Sequence, residues 1–131
     1  MQMFFKKSIR SQNKIETLIG AKTSITGDIR FTGGLRVDGS ILGNIIELGE
    51  VQATLVLSEY GRVEGEINVS QVILNGSVTG PVRAGQFIEL QSKAVITGDV
   101  YYKTIEIHTG AVICGKLIHL GDEPLMITNR S

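Results

Sequence analysis

Tryptophan is absent from the 131-residue chain, cysteine occurs once and proline twice. The lone Cys114 excludes an internal disulfide and gives no support for a secreted, disulfide-stapled scaffold. Charge of either sign is not in excess. Thirteen Lys and Arg residues balance thirteen Asp and Glu, so no global field draws nucleic acid. No apolar run approaches the ~18 residues of a transmembrane helix. No signal-peptide apolar region follows the basic start, which predicts a cytosolic protein. The motifs of common catalytic sites are also missing: there is no GxGxxG, P-loop, HExxH or GxSxG.

Glycine, by contrast, is abundant, with sixteen residues. With so little proline, that composition suits many tight corners and fits neither collagen nor disorder. Eight of the glycines sit in the frame apolar, x, Gly, x, apolar: Ile25 to Ile29, Val37 to Ile41, Ile41 to Ile45, Val63 to Ile67, Leu74 to Val78, Val78 to Val82, Ile96 to Val100 and Ile113 to Leu117. Six of them form a nearly even series: Gly27, Gly43, Gly65, Gly80, Gly98 and Gly115, at intervals of 16, 22, 15, 18 and 17 residues. Such self-similarity sets the architecture. Each copy alternates apolar and polar with period two, which is strand chemistry. A repeat of this length is too short for a helix, a strand and their turns. It fits a coil of short strands in which each winding stacks on the last.

The residue after the glycine runs Asp28, Asn44, Glu66, Pro81, Asp99, Lys116, and no two acids are neighbours. That order suits a ladder, because like charges opposite each other destabilise paired strands. The residue before it runs Thr26, Leu42, Glu64, Thr79, Thr97, Cys114, which would stack Thr79 over Thr97.

The chain divides into three parts. Residues 1–14 carry Lys6, Lys7, Arg10 and Lys14 without an acid and read as a flexible basic tail. In it, Met3, Phe4 and Phe5 precede Lys6 and Lys7, an apolar wedge with basic residues that suits weak attachment to an anionic leaflet. Residues 15–120 carry the repeat. Ile15 to Gly20 reads as a leading segment that covers the first winding. Gly33-Gly34, Asn75-Gly76, Ala84-Gly85, Ser92-Lys93 and Thr109-Gly110 mark corners. Glu47 to Tyr60 holds the long interval, with a widened corner at Gly49-Glu50. Residues 121–131 read as a cap or tail: Gly121 to Pro124 is a turn, and Leu125-Met126-Ile127 a last apolar run. Neither end shows an amphipathic helix long enough to cap a solenoid, whose end windings expose strand edges and core side chains. That favours stacking of subunits.

Candidate catalytic and metal-binding residues do not converge. Shifted by one winding, His119 falls over Tyr102 and His108 over Gln91, so the two histidines do not pair. Cys114 lies in an outward column with no base beside it. Tyr101, Tyr102 and Phe31 offer aromatic surface, but no basic stripe accompanies them, so nucleic-acid binding is not expected. No catalytic residue, cofactor or metal site is predicted.

The sequence resembles the bactofilins, bacterial polymer-forming cytoskeletal proteins, over about residues 15–120. The stretches that carry the resemblance are Ile15-Glu16-Thr17-Leu18-Ile19-Gly20, Ile25-Thr26-Gly27-Asp28-Ile29, Leu35-Arg36-Val37-Asp38-Gly39-Ser40-Ile41-Leu42-Gly43-Asn44-Ile45 and Ala94 to Val100. The resemblance implies an all-β fold, a right-handed parallel β-helix of three sides and about six windings with short flexible termini. It also implies filaments that form through the helix ends without nucleotide. Its further implications are an N-terminal Met-Phe and basic pair used on the cytoplasmic face of the inner membrane, matched by Met3 to Lys7, and a scaffold role for cell shape or for cell-wall enzymes and other clients. The tails here are shorter than many in the family, and two residues precede the usual start.

Position in the repeat assigns Ile25, Ile29 and Phe31 to one polymerising end, and Leu117, Leu120, Leu125 and Ile127 to the other. Two other readings remain. One is a left-handed hexapeptide-repeat acyltransferase, suggested by the six-residue spacing of Gly27, Gly33 and Gly39; its aliphatic register is not sustained, and no histidine in the long corner could serve as base. The other is a monomeric glycan-binding solenoid.

Overall fold

Alternating aliphatic residues separated by glycine corners give short strands, and the structure, a computed structural model, contains fifteen of them. It describes residues 14–49 and 51–121, and no helix occurs among them. All pairing is parallel, each strand lying on the equivalent strand of the next winding.

Three faces result. The first is the ladder β2 (Ser24–Thr26), β5 (Ser40–Leu42), β8 (Arg62–Glu64), β10 (Ser77–Thr79), β12 (Val95–Thr97) and β14 (Val112–Cys114). The second begins with β3 (Ile29–Phe31) and β6 (Ile45–Glu47). It continues through the leading parts of β9 (Ile67–Leu74), β11 (Val82–Leu90) and β13 (Val100–Ile107), and ends at β15 (Leu117–His119). The third stacks β1 (Ile15–Ile19), β4 (Gly34–Val37), β7 (Thr54–Leu57) and the trailing parts of β9, β11 and β13. The register shift between Ala84 and Phe87 marks the corner at which the long strands turn from the second face to the third. Six windings at about 4.8 Å each make a rod roughly 29 Å long.

The repeat predicted from glycine spacing is the stacking register. On the first face Ile25, Ile41, Val63, Val78, Ile96 and Ile113 lie over one another. On the second face the column is Ile29, Ile45, Ile67, Val82, Val100 and Leu117. The third adds Leu35, Leu55, Val72, Ile88 and Ile105, with Val37, Leu57, Leu74, Leu90 and Ile107 beside them. In the middle windings these side chains are fully buried, and each contributes about 1.5–3 kcal/mol by leaving water. The six series glycines form the corner between the first and second faces. At Gly98 φ is 143°, and a Cβ would lie 2.5 Å from the carbonyl oxygen of Gly80 below it. Only glycine fits that combination.

Two details differ from the expectations. Ile15 to Gly20 does not cover the first winding; β1 is the third-face strand of that winding and pairs with β4. The long interval is divided between two corners. Residues 48–53 separate β6 from β7, where Thr32 and Gly33 suffice one winding earlier, and residues 58–61 form a turn closed by the Gly61 amide on the Ser58 carbonyl at 2.9 Å.

Candidate functional site

The two ends of the rod differ from its middle because their strands have neighbours on one side only. At the start, among the described residues, β1, β2 and β3 pair only with β4, β5 and β6. At the finish, β14, β15 and the trailing part of β13 are the outermost strands among the described residues. Each end therefore presents a triangle of strand edges whose backbone donors and acceptors are unpaired among the described residues, the natural template for adding another chain.

The side chains follow the same gradient. Val100 is 0% exposed, and Leu117, its register partner in the last winding, is 46% exposed. Leu90 is 0% exposed and Ile107 above it is 46% exposed. At the opposite end Ile25, Ile29 and Phe31 are half-buried against the core, and Leu18 of β1, 60% exposed, stands in the outward column with Arg36. Leu120 is half-buried and donates its amide to the Tyr102 carbonyl at 2.6 Å. The structure thus places five predicted residues on the two end windings: Ile25, Ile29 and Phe31 at one end, Leu117 and Leu120 at the other. Leu125 and Ile127, and all of Met3, Phe4, Phe5, Lys6 and Lys7, lie outside the described residues.

Sequence reasoning missed Ile107 in the last winding. The six-glycine series indexes only the first and second faces, so the third-face strand of the last winding went uncounted. Following the column from Val37 through Leu57, Leu74 and Leu90 to its limit would have found it.

The corners are held by a device that charge order alone did not disclose. In the column after the glycines, Asp28 Oδ1 accepts the amide of Asn44 at 3.0 Å, Asn44 Oδ1 accepts that of Glu66 at 2.8 Å, and Asp99 Oδ1 accepts that of Lys116 at 3.0 Å. Asn75 does the same at another corner for Lys93, at 2.9 Å. These short polar side chains satisfy corner amides that the ladders leave over. The wide corner uses a larger one. Glu47 Oε1 accepts the amides of Ala53 and Ser70, at 3.0 and 2.8 Å, and Oε2 accepts the Ser70 hydroxyl at 2.7 Å.

The aromatic residues do not share a surface. Tyr102 turns inward against His119, with ring centroids 5.5 Å apart. Tyr101 faces outward beneath the Arg83 guanidinium at 5.3 Å, and Phe31 lies in the first winding. As the register predicts, His119 lies over Tyr102 and the two histidines do not meet. Cys114 is exposed.

Comparison with known proteins agrees with this geometry. A family model described as bactofilin, polymer-forming cytoskeletal, matches residues 17–118. The chain is 30% identical over 101 residues to bactofilin BacO of Myxococcus xanthus, covering 77% of each. It is 26% identical over 117 residues to bactofilin BacP of the same organism, where the match takes in 89% of this chain and 47% of BacP. Among solved structures it resembles the cytoskeletal bactofilin BacA, determined by solid-state NMR, with a TM-score of 0.70 and 26% identity over 82% of this chain and 99% of that one. It also resembles Thermus thermophilus bactofilin, reconstructed by cryo-electron microscopy as double helical filaments, with a TM-score of 0.58 and 31% identity over 80% and 100% of the two chains.

Proposed function

The chain belongs to the bactofilin family of polymer-forming cytoskeletal proteins, and from that premise we propose that it self-assembles through the ends of its β-helix into filaments that need no nucleotide. One observation carries the reading. Among the described residues the outermost strands at both ends have open edges, beside core columns that are buried in the middle of the rod and partly exposed at Ile25 and Ile29 at one end and at Ile113, Leu117 and Ile107 at the other. Joining two ends would bury those columns and pair the free backbone groups, a gain available from mass action alone. The Thermus thermophilus relative, seen in double helical filaments, supports a polymer of this kind.

The product is a scaffold and not a catalyst, with no cofactor required for assembly. The basic tail is assigned to the membrane: Met3, Phe4 and Phe5 would enter the headgroup region of the cytoplasmic face of the inner membrane, and Lys6 and Lys7 would meet anionic lipid. A single such peptide binds marginally, but a filament carrying many copies binds by avidity. Clients would be proteins that need a fixed place, such as cell-wall enzymes.

The experiment is negative-stain electron microscopy of the purified full-length chain without nucleotide, beside a variant lacking residues 1–14, followed by sedimentation of both with anionic vesicles. Filaments from both, with vesicle binding only by the full-length chain, are expected. Filaments only with the tail would move the polymer contact into that peptide. Monomers in both would overturn the assembly reading and return attention to glycan or acyl-CoA binding.

A further inference from the structure

Glu89 and Glu106 stand directly opposite each other on neighbouring windings, as register partners of β11 and β13. Like charges in that relation destabilise a ladder. Among the described residues no lysine or arginine forms an ion pair with either carboxylate. His108, two residues beyond Glu106, instead places Nε2 between them, 3.0 Å from Glu89 Oε2 and 3.1 Å from Glu106 Oε2. A neutral imidazole carries at most one proton on that nitrogen, and with its lone pair there it would face two anionic oxygens. The point where the three atoms converge therefore calls for positive charge.

From this convergence we propose that Glu89, Glu106 and His108 form a binding site for a divalent transition-metal ion, best fitted by Zn²⁺. The three ligand atoms lie within 4.8 Å of one another. An ion bound at about 2.0–2.2 Å to each draws its ligands to separations of roughly 3.3 Å in tetrahedral geometry. Two carboxylates and one neutral imidazole balance the charge of a divalent ion and leave a fourth position for water, as in open zinc sites. The imidazole selects Zn²⁺, Co²⁺ or Ni²⁺ over Mg²⁺ and Ca²⁺, which favour all-oxygen shells. Gln91 Nε2 donates to Glu89 Oε2 at 3.3 Å, supplying the outer contact that steadies a ligand. Binding is coordination only, with release of a proton wherever His108 holds one.

The site has a structural consequence. Glu89 belongs to the fifth winding on the third face, and Glu106 and His108 to the sixth, the outermost strand of that face. A bound ion pins the last third-face strand to the one beneath it. This inference does not rest on filament formation.

The test is Zn²⁺ titration of the metal-free full-length chain in competition with a chromophoric chelator, with Co²⁺ absorption as a second readout. One ion per chain is expected. His108→Gln, Glu106→Gln and Glu89→Gln should each weaken binding by about tenfold or more. Cys114→Ser and His119→Gln, which alter the other soft or imidazole ligands, should leave it unchanged. Amide exchange over residues 104–107 should slow when Zn²⁺ is added. All three ligand side chains point outward and are partly exposed, so circular dichroism should show the variants folded. Affinity unchanged in His108→Gln, affinity lost in Cys114→Ser or His119→Gln, or no competition with even a weak chelator would each overturn the assignment.

Discussion

The carboxylate of Glu47 holds Ser70 by both its hydroxyl, at 2.7 Å, and its amide, at 2.8 Å, across the wide corner after β6. Glu47 is the register partner of Phe31. It thus takes a place in the inward-facing column that Phe31, Ala84 and Tyr102 fill in other windings. An acid in that column is tolerable because three donors meet it, the third being the Ala53 amide that ends the 48–53 loop.

Removing that carboxylate leaves three donors to find new partners in a half-buried place. Glu47→Ala should lower stability by about 2–3 kcal/mol, the cost of unsatisfied buried polar groups. Glu47→Gln, which keeps an acceptor oxygen, should cost about 1 kcal/mol. Urea unfolding monitored by circular dichroism measures both, and limited proteolysis should cut Glu47→Ala first within 48–53. Equal midpoints for the wild type and both variants would show that the loop is held by its own backbone.

The stacked glycines make a comparison with an internal control. At Gly98, positive φ and a close carbonyl act together. The strain contributes about 1–3 kcal/mol, and the overlap with backbone about the same again. Gly27 has a φ of 128°, but a Cβ there meets nothing within 4 Å, because among the described residues it belongs to the first winding. Gly98→Ala should therefore destabilise the fold clearly more than Gly27→Ala in thermal or urea unfolding. If subunits stack on that end, Gly27→Ala should stay folded yet assemble poorly, since the added methyl would meet the neighbouring copy.

Much of this architecture was legible because its signal is periodic. Ile25 to Ile113 and Ile29 to Leu117 could be aligned by counting from glycine to glycine, and those alignments are the strand registers. The third face lies outside that even glycine series. Its strands follow corners of variable length, so Ile107 could not be placed before the windings were closed. The six-residue spacing of Gly27, Gly33 and Gly39 was real but local: in the first windings these residues mark three successive corners, and the wide loop at 48–53 ends the pattern. Glu47 was not legible because its partners lie 6 and 23 residues away. The Glu89, Glu106 and His108 cluster was missed because only a pair of histidines was sought, whereas strand register brings one histidine to two carboxylates.

Electrostatics at one corner give a pH prediction. Lys93 Nζ lies 3.0 Å from Glu59 Oε1. The hydrogen bond from Lys93, then one from Tyr60, lowers the Glu59 carboxyl below its ordinary 4.5, and the same bond to Glu59 raises Lys93 above 10.5. The carboxyl's contribution is present above its unfolded pKa and disappears as pH falls through the lower folded value. The ammonium's contribution is present below 10.5 and disappears as pH rises through its raised value. Both groups are solvent-exposed, so the effect on stability is small and screened by salt. NMR titration should place the Glu59 midpoint below 4.5 in the wild type and return it toward 4.5 in Lys93→Met. An unchanged midpoint would show that the pair does not persist in solution.

The proposed end-to-end contact can be tested at one end at a time, and the product would report how the ends meet. Leu117→Arg puts a charge where Leu117 is 46% exposed above a fully buried Val100, and burying an unpaired charge in a joint costs several kcal/mol. Ile29→Arg does the same at the other end, where Ile29 packs half-buried on the core. Both variants should keep the β signature in circular dichroism and lose long filaments in electron micrographs. Val95→Arg, on an outward wall position that is 41% exposed, should still form them. Size-exclusion chromatography then separates two geometries. If unlike ends join, either end variant alone is a monomer, and mixing the two restores only a dimer through the intact pair of ends. If like ends join, each variant alone is a dimer through its unaltered end, and mixing adds nothing larger. Long filaments from either end variant would remove the ends of the β-helix as the site of assembly.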